Sequence, residues 1–64
     1  MSIHHIAEQL EAARRDNAQT TAVRIIHRYL KAAKRPTPLA ALKRLMLAYW
    51  QDPGTGITLI HSWH

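Results

Sequence analysis

The sequence predicts an all-α fold, a small bundle or hairpin of two or three helices closed by a short strand-like tail. Three observations carry that reading. Apolar residues recur at three- and four-residue spacing along most of the chain. The stretches between them hold residues that stop and restart helices, Asp16-Asn17 and Pro36-Thr37-Pro38. One segment alone, after Gly56, is rich in β-forming residues and bounded by glycine.

The first helix is expected over about residues 2–15, where Ile3, Ile6, Ala7, Leu10 and Ala13 make one amphipathic stripe. Ser2 suits the N-cap, and Arg14 and Arg15 suit the negative end of the helix dipole. Glu8 and Glu11 fall on the solvent side, flanking Arg15.

The second helix is expected over about residues 18–34, with Ala18, Ala22, Ile25, Ile26, Tyr29, Leu30 and Ala33 on one side. Its stripe lies about 120° round from that of the first helix on a common wheel. One straight helix could not aim both stripes at one core, so the chain should break near residues 15–18. Asp16 with Gln19 resembles a capping box at that break.

Arg35-Pro36-Thr37-Pro38 ends the second helix, because a residue before proline avoids the helical region. The same segment starts a third, over about residues 38–51, with Thr37 as N-cap and Pro38 in the first helical position. Its apolar arc is wide, taking in Leu39, Leu42, Leu45, Met46, Leu47, Tyr49 and Trp50, with Ala41, Ala48 and Arg44 opposite. Asp52-Pro53-Gly54-Thr55-Gly56 breaks this helix, so residues 1–56 form the helical domain. The tail 57–64, Ile-Thr-Leu-Ile-His-Ser-Trp-His, reads as a strand that needs a partner edge.

A chain of 64 residues is near the lower limit for folding alone, and cysteine is absent, so no disulfide or thiolate–metal site can help it. Self-association is the expected remedy. A homodimer should form through the surplus apolar surface of the third helix and the tail, using Leu39, Leu42, Leu45, Met46, Tyr49, Trp50 and Trp63. The N-terminus shows no secretory signal pattern and no apolar run approaches a bilayer span, so the expectation is a cytoplasmic protein with no membrane role.

Nothing in the sequence resembles a nucleophile–base–orienter set or a glycine-rich phosphate loop, so no enzymatic activity and no cofactor are expected. The five histidines, His4, His5, His27, His61 and His64, lie at spacings that favour exposed side chains over a metal site.

Charge is the distinctive feature. The net charge is +5, yet residues 17–51 hold Arg24, Arg28, Lys31, Lys34, Arg35, Lys43 and Arg44 and no acid. On the second helix Arg24, His27, Arg28, Lys31, Lys34 and Arg35 gather opposite the apolar stripe, with no acid to lace them. These six are the candidate partner-binding residues. They point to a small regulatory or inhibitory protein that binds an acidic surface of a partner protein. The alternative is a nucleic-acid-binding, helix-turn-helix-like transcriptional regulator, with the second helix presented for recognition. Against it, the basic face lacks asparagine and offers only Gln19 for adenine readout.

Overall fold

In the computed structural model, which describes residues 2–64, the apolar stripes of four helices face one another: α1 (Ile3–Arg15), α2 (Gln19–Ala32), α3 (Leu39–Gln51) and α4 (Pro53–His61). Each helix packs on the next in chain order, α3 with α4 most extensively, and α4 closes back on α1. The radius of gyration is 10.2 Å, close to the roughly 10.7 Å of a folded chain of this length.

Helix α1 begins as its sequence prescribes, with the Ser2 hydroxyl accepting the His5 amide at 3.2 Å. Ile6, Leu10 and Ala13 are buried. The expected break falls at residues 16–18 but without a capping box. Asp16 is the C-cap of α1, and α2 starts after Ala18 with no side-chain cap. What stops α1 is a left-handed residue, Asn17 at φ 53. The Ala18 amide reaches back to the Ala13 carbonyl at 2.8 Å, and the Asn17 amide to that of Arg14 at 3.0 Å.

Helix α2 ends the same way one residue after its C-cap Ala33. Lys34 stands at φ 58, with Arg35 donating to Leu30 at 2.9 Å and Lys34 to Lys31 at 3.0 Å. Ala22, Ile26, Tyr29 and Leu30 face the core. Pro38, not Thr37, caps α3, and the Thr37 hydroxyl donates to the Arg35 carbonyl instead. Ala41, expected opposite the apolar arc, is buried with Leu42, Leu45, Met46 and Tyr49, because α3 is packed from two sides by α2 and α4.

The strand-like tail is corrected by the structure. Residues 57–61 belong to α4, among the described residues there is no strand, and the bundle has four helices rather than two or three. Asp52 is the N-cap and Pro53 the first helical residue, with the Thr55 hydroxyl donating to the Asp52 carboxylate at 2.8 Å. The Thr58 hydroxyl donates to the Gly54 carbonyl one turn back. Weak helix propensity at Ile57, Thr58 and Ile60 costs a few tenths of a kcal/mol each. Burying Ile60 completely returns about 2 kcal/mol, and α4 also covers part of α3's apolar arc.

Two arginines tie helix ends across the bundle. Arg14 donates from both Nε and Nη2 to the Trp50 carbonyl, at 3.1 and 3.0 Å. Arg35 donates from Nη1 to the His61 carbonyl at 2.9 Å. Both acceptors lie in the last turn of a helix, where carbonyls have no partner within the helix. Among the described residues no helix is long and apolar enough to cross a membrane.

Candidate functional site

The apolar side of α2 faces α1 and α3, so the cationic side has no choice but to face solvent. Arg24, His27, Arg28, Lys31 and Lys34 are all exposed there. The spacings 24–28–31 and 27–31 set the first four in adjoining rows on one helical face, and Lys34 follows past the helix end. Arg35 differs from the other five predicted residues. It is half-buried, and its bond to the His61 carbonyl fixes it to the end of α4.

Open grooves border this face. Toward α1, Arg24 and Arg28 share a groove with Thr21, Gln9 and Asp16, the one acid beside the stripe. Toward α3, a groove of about 340 Å³ is lined by Gln19, Thr20, Val23, Lys43, Met46 and Leu47. At the C-terminal end of α2, His27, Lys31, Lys34 and Arg35 line a cleft of about 440 Å³ with Pro36 and Thr37. Lys43 and Leu47 were not predicted as site residues. With Leu39 they form an i, i+4, i+8 row on α3, a spacing that was available in the sequence.

The residues expected at a dimer interface are divided by the fold. Leu42, Leu45, Met46 and Tyr49 are buried in the core of the single chain. Trp50 and Trp63 are half-buried against that core, and Tyr49 meets Trp50 edge to face at 6.3 Å. Leu39, 58% exposed, keeps a free surface, as do Leu47 at 49% and Leu59 at 41%. Part of α3's apolar arc is thus covered within the chain by α2 and α4.

The opposite side of the molecule has mixed charge. Glu8, Glu11, Arg14 and Arg15 border a groove between α1 and α4 that ends on Tyr49. Burial pushes the Tyr49 hydroxyl above its ordinary pKa, the Glu11 carboxylate pushes it further, and Arg14 draws it back. His4, His5, His27, His61 and His64 are all exposed, and among the described residues no three metal-ligating groups converge. The His61 Nδ1 lies 3.4 Å from the Tyr29 hydroxyl, a contact made by the helical geometry of the tail.

Comparison of the chain with protein-family models, curated proteins and solved structures finds no match among any of them.

Proposed function

We propose that this protein is a non-enzymatic regulatory or inhibitory module that docks on an acidic surface of a partner protein through the basic face of α2. The observation that carries the reading is the exposed row Arg24, Arg28 and Lys31 on a helix that contains no acid, followed by exposed Lys34 just past its C-terminal end. Like charges at these spacings destabilise a helix by about 0.2–0.5 kcal/mol per pair. An acidic counter-surface relieves that repulsion and steers the encounter. The exposed leucines of α3 favour a protein over a nucleic acid. Leu47 sits across the α2–α3 groove from Val23, beside Lys43, and an apolar anchor there has nothing to gain from a phosphate backbone.

A second reading draws on the connection between α1 and α2. A short turn joins two packed helices, and Thr20, Arg24 and Arg28 are exposed on the second, as in a helix-turn-helix recognition helix. Salt dependence separates the two. A nucleic-acid complex loses affinity at a log–log slope of about −0.9 per phosphate neutralised, whereas apolar anchoring gives a shallower slope.

The experiment is affinity capture with the wild type and with Arg24→Glu/Arg28→Glu/Lys31→Glu, each with and without nuclease. All three side chains are exposed, so the triple variant should melt within a few degrees of the wild type. A protein retained after nuclease by the wild type and lost by the variant supports docking. A capture abolished by nuclease moves the assignment to nucleic acid, and capture unchanged by the triple reversal overturns both.

A further inference from the structure

We propose that the cleft at the C-terminal end of α2 is a binding site for a phosphate dianion, carried on a partner's side chain or free. The proposal rests on the docking reading in one respect, that a phosphorylated partner side chain would be the contact's focal point.

The cleft is made by the reversal of the chain at Lys34. Spacing of i, i+4 aligns His27 and Lys31 on one face of α2, and Lys34 follows just past the helix end. The left-handed turn at Lys34, φ 58, then folds Arg35-Pro36-Thr37 back beside the last helical turn. The result is an open space of about 440 Å³ with cations on one side and Pro36 and Thr37 on the other. No carboxylate lines it.

Charge decides what such a space can hold. A helix C-terminus contributes about half a negative charge, unfavourable to an anion. Here the carbonyls of Leu30 and Lys31 already accept the Arg35 and Lys34 amides, which blunts that end. Lys31, Lys34 and Arg35 bring three full positive charges against it. A phosphate monoester carries about −1.5 to −2 at neutral pH and offers three acceptor oxygens. A phosphodiester carries one charge and matches the cluster less well.

Two details point to a built cluster rather than a scatter of surface cations. Arg35 is held in place by its bond to the His61 carbonyl, so less of its freedom is lost when its remaining donors meet an anion. Lys34 occupies a left-handed backbone region that is unfavourable for an ordinary residue and that helix ends usually fill with glycine or asparagine. A lysine there sacrifices stability and places an ammonium at the cleft mouth.

The test is a heteronuclear NMR titration of the whole chain with three probes: O-phosphoserine, inorganic phosphate and a short DNA duplex. The expected result is saturable shifts at the amides of Lys31, Lys34, Arg35 and Thr37 with both phosphates. Lys31→Gln/Lys34→Gln should weaken that binding at least tenfold. Lys43→Gln/Arg44→Gln removes the same charge from α3, outside the cleft, and should leave it within about twofold. Tighter binding of phosphoserine than of phosphate identifies a side-chain ligand, and equal binding a free anion; either supports the site. Shifts that never saturate, or equal losses in the two double variants, overturn it. So does a duplex that binds more tightly than phosphoserine with shifts centred on Arg24 and Arg28. Because the titration uses no partner protein, its failure leaves the docking reading to be judged by the charge-reversal capture alone.

Discussion

Gly56 of α4 lies against the backbone of Tyr49 in α3, so closely that a Cβ on Gly56 would stand 2.6 Å from both the Tyr49 amide nitrogen and its Cβ. The absence of a side chain at this one position lets the two helices meet, and their contact closes the core over Ile60 and Tyr49. Gly56→Ala must push backbone against backbone, where no flexible side chain can yield. The expected loss is about 2 kcal/mol or more. Gly54, two residues earlier, has open space apart from Asp52 Oδ1 at 3.7 Å. Its helical position makes Gly54→Ala stabilising by up to about 1 kcal/mol. Urea unfolding of the two variants should move in opposite directions.

The paired bonds from Arg14 to the Trp50 carbonyl make a second, electrostatic tie to the end of α3. Arg14→Met removes a charged donor from an otherwise unpartnered carbonyl and should cost about 1 kcal/mol, moderated by solvent at this exposed residue. Arg14→Lys restores the charge but not the fork, so it should recover only part of the loss. Full recovery by lysine in a thermal melt would show that charge alone matters.

Lys34 gives the opposite kind of prediction, a gain. At φ 58, glycine has no Cβ penalty, so Lys34→Gly should raise stability by about 1 kcal/mol. Asn17, at φ 53, is already a residue that tolerates this region, and Asn17→Gly should change the melting temperature much less. Differential scanning calorimetry of the two variants measures the contrast.

Three helices were legible because their stripes, caps and prolines agree. Ile6 and Leu10, Ile26 and Leu30, and Leu42 and Leu45 are all buried where the 3.6-residue period puts them. The fourth was hidden by composition. Two glycines and the run Ile57-Thr58-Leu59-Ile60 favour extended backbone locally. Yet Asp52-Pro53 is the same cap-and-proline start that Thr37-Pro38 suggested for α3, and Gly56 and Ile60 are one helical turn apart. Tertiary contact with Tyr49 outweighed propensity. The basic face was legible as a row of charges, since Arg24, Arg28 and Lys31 need only the helical period to be placed together. The separate role of Arg35 was not, because it depends on where the His61 carbonyl comes to rest.

Tyr49 makes stability sensitive to alkali. Its folded pKa lies above the ordinary 10.0, from burial first and the Glu11 carboxylate second. Below that ordinary value folded and unfolded chains both keep the proton, and the contribution is fully present. As pH rises from there through the folded pKa, the unfolded chain ionises first and the contribution is lost. Tyr49→Phe should flatten this part of the alkaline decline. Glu11→Gln should shift the late tyrosinate absorbance step to lower pH, and Arg14→Met should shift it higher, because Arg14 favours the phenolate.

The register of α4 can be tested at two neighbouring residues. On a strand, Ile57 and Leu59 would share one face and Thr58 and Ile60 the other. On the helix, Ile60 turns inward with Gly56 and is fully buried, while Leu59 is 41% exposed. Ile60→Ala then leaves a cavity between α3, α4 and the rest of the core. It should cost about 3 kcal/mol, a large share of the stability of so small a domain. Leu59→Ala removes a side chain from the outer face and should cost about 0.5 kcal/mol, within the range of surface substitutions. Amide exchange gives an independent reading. The helix bonds the Gly56 amide to the Asp52 carbonyl and the Ser62 amide to that of Thr58, so protection should run through this segment in the isolated chain. Equal losses at Leu59 and Ile60, together with rapid exchange from 57 to 62, would overturn α4 and return the tail to an unpaired segment awaiting a partner.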